Sequence, residues 1–226
     1  MIRWLRAWGL TALVILLVVA AGTGIWAGYF SQWFALRSVV VSGNVTVSKE
    51  EVARRLNISA GEPLLRVDLD DVKARVESIR VVASAEVFRE FPHTLHVVVV
   101  ERSPVTYIER TDGAHLVDKT GVDFSTVPQP PEGLPKLAVA RATAQDPATK
   151  AALATFSQLP DELRGQVAEI EAKSEIEVSV TLADGRVVLF GSSEDVPRKA
   201  RVALALLSQQ AKTYNVSSPN TPVLSD

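Results

Sequence analysis

Within the stretch FPHTLHVVVVERSP, residues 91–104, His93 and His96 stand three positions apart, and Glu101 follows five positions later. On a helix that spacing puts both imidazoles on one face, where with a carboxylate they could hold a metal ion or move protons. Four consecutive valines at 97–100, coming after a proline, favour a strand instead. On a strand an odd separation sends two side chains to opposite faces, so the histidines cannot share a metal, and Glu101 is left as a solvated charge at the strand's end. One further histidine, His115, and no cysteine complete the inventory of strong ligands. Thiolate nucleophiles, thiolate metal sites and disulfides are excluded.

The remaining carboxylates that could work in pairs are Glu50 with Glu51, Asp70 with Asp71, and Glu169, Glu171, Glu175 and Glu177. All fall at predicted helix starts or alternate along strands, where solvation accounts for them. No G-x-S-x-G elbow, H-E-x-x-H helix or phosphate-cradling glycine loop occurs in the chain. The residues therefore assign no catalytic group, no cofactor and no metal.

The elements explain more than the side chains do. Residues 7–36, AWGLTALVILLVVAAGTGIWAGYFSQWFAL, carry no charge and exceed the roughly 20 apolar residues that span a bilayer. A transmembrane helix is predicted over 8–30. Trp4 and Trp8 mark one end and Trp26, Tyr29 and Trp33 the other, while Arg3 and Arg6 hold the tail, residues 1–7, on the cytoplasmic side. A cleaved signal peptide ending near VVAAGTG is the other reading. In both cases the rest is exported. The part after Arg37 holds all 26 acidic residues and all but three of the 24 basic ones, a balance that fits nucleic acid poorly.

A first domain is predicted over 37–103. It begins with a strand in which Val39 and Val41 share a face, ended by Gly43-Asn44. Ser48 and Glu51 form a capping box that opens a helix, with Val47 and Val52 as its staple. Asp68 caps a second helix whose stripe is Leu69, Val72, Val76 and Ile79. Two strands follow, joined at Phe91-Pro92, with Ala85 and Val87 facing one way and Leu95, Val97 and Val99 forming the matching face. The order β-α-α-β-β predicts two helices on one face of a three-stranded sheet, an α+β arrangement.

A second, β-rich domain is predicted over 104–218, with a C-terminal tail over 219–226. VTYIE and AHLVD are short strands about a turn at Asp112-Gly113, and Gly121 makes a second turn. Asp146-Pro147 starts a helix with Leu153, Phe156 and Leu159 inward, and Pro160 stops it. In EIEVSVTLADGRVVLF, residues Ile176, Val178, Val180 and Leu182 alternate, Asp184-Gly185 turns, and Val187 and Leu189 continue the inner face. A helix from about Glu194 faces the sheet with Val196, Ala200, Ala203, Leu204 and Leu207. KTYNVSS is the last strand, left at the sheet's edge, and Pro219 and Pro222 end it.

Read together, V-x-V-x-G-N from Val39, S-x-E-E-V from Ser48, G-E-P-L-L-x-V-D-L from Gly61, A-E-V-x-R-x-F-P-x-T-L from Ala85, E-R-S-P-V from Glu101 and L-V-D-x-x-G from Leu116 resemble the FtsQ/DivIB family of bacterial cell-division proteins. The resemblance implies a single-pass protein of the cytoplasmic membrane, N-terminus inside, at the division septum. Its first exported domain would be a POTRA domain that takes part in recruitment by other divisome components. It would be a scaffold without catalysis, gathering FtsB-type (DivIC-type) and FtsL-type single-pass partners to control septal cell-wall synthesis. In that family the C-terminal strand region accepts a partner segment by β-augmentation. The matching residues are Tyr214, Asn215, Val216, Ser217, Ser218, Pro219 and Asn220. The alternative is an anchored or secreted enzyme acting on peptidoglycan through a carboxylate pair.

Overall fold

The computed structural model describes residues 13–24, 32–59 and 61–226. Residues 13–24 are helical with exposed side chains. Among the described residues no helix is long and apolar enough to cross a membrane. The rest of the expected span over 8–30, and the tail over 1–7, lie outside the described residues. The contacts divide the chain into two units, Met1–Glu101 and Arg102–Asp226.

The first unit is built from β1 (Ser38–Ser42), α1 (Lys49–Leu56), α2 (Leu69–Glu77), β2 (Val82–Glu90) and β3 (Thr94–Glu101), with sheet order β1-β3-β2. β1 runs parallel to β3, and β2 runs antiparallel to it. Ser48 Oγ accepts from the Glu51 amide at 3.1 Å, and Asp68 Oδ1 accepts from the Asp70 and Asp71 amides. Each cap satisfies donors that a helix start leaves open. Val52, Leu56, Val72 and Val76 then meet Val41, Ala85, Leu95, Val97 and Val99 in one buried cluster. Gly43 turns the chain out of β1 at φ +78, and a Cβ there would lie 2.2 Å from the Val99 carbonyl oxygen, so only glycine fits.

The second unit is one nine-stranded sheet, ordered β12-β11-β10-β9-β8-β7-β4-β5-β6. Its strands are β4 (Pro104–Arg110), β5 (Gly113–Asp118), β6 (Asp123–Val127), β7 (Lys136–Val139), β8 (Val167–Ser174), β9 (Glu177–Leu182), β10 (Val187–Gly191), β11 (Thr213–Asn215) and β12 (Val223–Ser225). Three helices accompany them, α3 (Pro147–Gln158), α4 (Asp161–Arg164) and α5 (Val196–Leu206). The α3 and α5 side chains Ala151, Ala152, Val196, Ala200 and Ala203 close over Ile170, Val178, Val180, Val188 and Phe190. No helix covers the opposite sheet face among the described residues.

Three expectations about this sheet are corrected. Val188 and Phe190, both fully buried, carry the inner face of β10, because Val188 sits opposite Val180 while Val187 and Leu189 sit opposite Thr181 and Ser179 on the uncovered face. Ile176 lies in the turn before β9 and is 70% exposed. Residues 212–218 are not the outermost ribbon: β12 pairs antiparallel with β11, Thr213 with Ser225, Tyr214 with Leu224 and Asn215 with Val223. The segment 219–226 is thus a turn and a strand, not a tail beyond the sheet. Pro219 and Pro222 frame that turn and do not end the sheet.

Candidate functional site

The open end of the sheet is assembled by its last fourteen residues. α5 delivers the chain to β11, which runs parallel to β10, with Val188 opposite Tyr214 and Leu189 opposite Asn215. Tyr214 is fully buried. Its hydroxyl donates to the Gln209 carbonyl at 2.7 Å, and the Arg186 guanidinium stands 5.9 Å over its ring. Val216 is also fully buried, and its amide donates to Leu189 O at 2.9 Å. Between them, Asn215 Oδ1 accepts from the Ser217 amide at 3.0 Å and from Ser217 Oγ at 2.7 Å, a local turn that this side chain makes easily. The Thr221 amide donates to Ser218 O, and Arg198 donates to Asn220 Oδ1 at 2.5 Å.

These bonds settle what the seven residues from Tyr214 to Asn220 do within the chain. Tyr214 and Val216 are core residues with no surface to offer. Asn215, Ser217, Ser218 and Asn220, with Pro219, shape the turn that lays β12 onto β11. Gly191 at the end of β10 passes close to this turn: a Cβ added at Gly191 would come within 2.9 Å of Ser217 Cβ, so position 191 requires glycine. Both long edges of β11 are taken, and the unpaired backbone of this end belongs to β12.

Beside that edge, the uncovered sheet face forms a groove of about 320 Å³. Its floor is Val187, Leu189 and Ser179, with Ile176 standing at one end and Glu171, Lys173 and Glu177 on the rim. The register carries one row across the sheet, Glu171, Ser179, Leu189, Asn215 and Val223, and the groove ends at Asn215 and Ser217, one strand in from the edge strand β12. Val223, 59% exposed, is the last apolar side chain in that row. The edge can take an extended segment by backbone pairing, and the groove floor two strands further in can bury apolar side chains from another part of the same partner.

The two histidines singled out by the sequence form no second site. His93 lies in the turn between β2 and β3 and His96 within β3, stacked on Phe88 at 5.1 Å and paired with Glu90. The two do not converge on a metal, and no metal-binding group is found among the described residues. Glu101 is not a solvated charge. Its carboxylate accepts from the Val45, Thr46 and Val47 amides at 2.7 to 3.0 Å and folds the loop after β1 around itself. Burial works against its charge, but these donors outweigh it and hold its pKa below the usual carboxylate value.

Three structural groups went unread in the sequence. Buried Asp118 accepts from Thr120 N, Thr120 Oγ1, Val122 N and Arg102 Nη1, which fixes the L-V-D-x-x-G turn. His115 bridges two carboxylates, Nδ1 to Asp123 at 2.8 Å and Nε2 to Asp112 at 3.0 Å, and those bonds, Asp123 first, raise its pKa. Buried Lys199 donates to Ser192 O at 3.0 Å, and desolvation lowers its pKa. The only signal for the first was the Asp-x-Thr-Gly spacing. The other two carry none, since their partners lie in other elements or loops.

Comparison with known proteins completes the description. The family model for the FtsQ-type POTRA domain matches residues 34–102, and that for the C-terminal domain of cell division protein FtsQ/DivIB matches 106–219. The chain is 43% identical to cell division protein FtsQ of Mycobacterium bovis over 99% of its own length and 70% of that protein's. To the FtsQ of Streptomyces bingchenggensis it is 34% identical, over 90% of this chain and 81% of that one. A solved structure of the major extracytoplasmic domain of the cell-division protein DivIB from Geobacillus stearothermophilus aligns at 20% identity over 45% of this chain and 84% of that one, with a TM-score of 0.34.

Proposed function

Because the chain belongs to the FtsQ/DivIB family of cell-division proteins, we propose that it is a non-enzymatic scaffold of the division machinery, held in the cytoplasmic membrane by one span over residues 8–30. The POTRA domain joins it to other divisome components. The C-terminal sheet captures FtsB-type and FtsL-type single-pass partners and thereby controls septal cell-wall synthesis.

One observation supports the capture step: a nine-stranded sheet that, among the described residues, ends in the unpaired edge of β12, with a groove on the same face beginning one strand inward. The docking strand adds to β12, while Tyr214, Asn215, Val216, Ser217, Ser218, Pro219 and Asn220 hold β12 in place. An edge strand without charged side chains accepts a further strand more readily than a charged one. Here the edge strand VLS is uncharged.

Because the chain lacks cysteine, single cysteines report cleanly. Val223→Cys, co-expressed with an FtsB-type partner carrying scanning cysteines, should form a disulfide at one partner position, weaker at its same-face neighbours and absent elsewhere. Thr126→Cys on β6, the sheet's other edge, should form none. Cross-linking at Thr126→Cys in place of Val223→Cys would overturn the assignment.

A further inference from the structure

We propose that the end of the first unit formed by Trp33, Phe34 and the turn at 91–93 is a lipid-facing surface resting in the headgroup region of the bilayer. The inference depends on the span proposed above.

The uncharged run of residues 7–36 does not end in a linker. Its last two members are already core: Ala35 is 7% exposed and bridges to Pro63, and Leu36 is 5% exposed with its amide on Glu62 O at 2.8 Å. The residue before them, Phe34, meets Phe91 edge-on, with ring centroids 6.0 Å apart at 82°. The Arg37 amide donates to His93 O at 3.0 Å, which ties the run to the same turn. A span ending at residue 30 leaves four residues to Phe34, a reach of roughly 14 Å at full extension and about 6 Å if helical. The polar region outside the hydrocarbon core is itself roughly 5–8 Å deep on each side. The Phe34–Phe91 end therefore cannot leave the neighbourhood of the bilayer surface.

Its chemistry suits that position. Trp33 is 81% and Phe91 55% exposed, and rings of this kind collect at the headgroup level. Arg37 is exposed beside them, a cation that favours anionic lipid. No carboxylate occurs in residues 33–37 or 91–93; Glu90, next to the turn, is engaged by His96, and Glu62, whose backbone carbonyl holds the Leu36 amide, is half-buried. The far end of the sheet is different. The loop around Glu101 lies one strand length away, roughly 20–25 Å. Of its two valines, Val47 is buried, and Val45, 90% exposed, is flanked by Asn44 and Thr46.

The test uses the full chain in phosphatidylcholine and phosphatidylglycerol vesicles, with nitroxide labels at Phe91→Cys, Trp33→Cys and Val45→Cys. Collision with oxygen, which partitions into lipid, is compared with collision with a water-soluble nickel chelate. Positions 91 and 33 should give an oxygen-to-nickel ratio several-fold above position 45. A ratio at 91 and 33 equal to that at 45 overturns the assignment. Protection from both quenchers also overturns it, because that outcome marks a face buried against protein, a second copy of this chain included. Alkaline extraction separates the two readings. Release of the chain from vesicles sinks the span and this surface together, while retention with an aqueous position 91 sinks only the surface.

Discussion

Removing the hydroxyl of Tyr214 separates a residue that supports the docking edge from one that touches the partner. The ring is fully buried, and its hydroxyl donates at 2.7 Å to Gln209 O beside the Arg186 guanidinium. In Tyr214→Phe the ring keeps its packing and loses that bond, which contributes about 1 kcal/mol net. Gln209 is exposed, so water reaches its freed carbonyl and no further desolvation cost accrues. For a unit of this size the loss lowers Tm by roughly 4 °C. Tyr214→Ala removes the ring as well and should cost about 3–5 kcal/mol. Scanning calorimetry of the detergent-solubilised chain gives the stability, and titration with an FtsB-type partner segment gives the affinity. Tyr214→Phe should lower Tm and leave affinity within about twofold, since the hydroxyl faces inward and β12 stays in register. A tenfold loss of affinity at unchanged Tm would refute the placement of Tyr214 in the core.

Further outcomes follow from the same geometry. Leu189→Glu puts a charge on the groove floor at a half-buried site and should weaken partner capture at least tenfold, with a Tm change of only a few degrees. Equal capture by the variant in a pull-down would remove the groove from the interface. Glu101→Gln keeps the shape but not the charge that three amides share, and should destabilise the first unit by about 1–2 kcal/mol at pH 7. Glu101 has a depressed folded pKa, so its contribution is present above the unfolded carboxylate value of about 4.3 and fades as pH falls through the folded one. The acid limb of Tm against pH should therefore flatten in the variant, and superimposable limbs would count against the loop clamp. His115 has a raised folded pKa, so its contribution is complete below about 6.5 and is lost as pH rises through the folded value. Tm of the second unit should fall across that alkaline window in the wild type and stay level in His115→Gln. Equal slopes would show that the bridge to Asp112 and Asp123 carries no net stability.

The first unit was legible because its signals are local. Ser48 and Asp68 cap helices within three residues of themselves, and Val72 with Val76, or Leu95 with Val97 and Val99, declare a face by spacing alone. The second unit was read less well where register depends on distant pairing. β7 has four residues between parallel neighbours, and β8 has bulges between Val167 and Glu169 and between Ala172 and Ser174 that break its period of two. The inner face of β10 was assigned one position off. The parity of a hairpin is set by how many residues its turn takes, and Ala183 to Arg186 take enough to exchange Val187 for Val188. Glu101 looked solvated because its partners, Val45 to Val47, lie more than fifty positions earlier. The final strand was missed for a related reason. Three residues between Pro222 and the end of the chain hold no periodicity to read, and only the turn built by Asn215 and Ser218 carries them back onto β11.

That short strand also limits how a partner can be held. β12 pairs over three residues, so an added strand gains about three backbone bonds there, worth roughly 3 kcal/mol net. Micromolar affinity requires about 8 kcal/mol, before the cost of ordering the incoming segment. Pairing to β12 alone cannot supply that. The remaining 5 kcal/mol or more corresponds to at least roughly 200 Å² of apolar burial, about the area offered by two or three aliphatic side chains. Val223 on the edge strand and Val187, Leu189 and Ile176 two to three strands inward are the apolar residues that meet this need, on the face that no helix covers among the described residues. A partner that docks here must therefore reach past β12 and lay side chains across the sheet. Glu171 and Glu177 on the rim outnumber Lys173 and favour a segment that carries a basic residue. Backbone pairing fixes the partner's register, and the uncovered face chooses which sequence can occupy it.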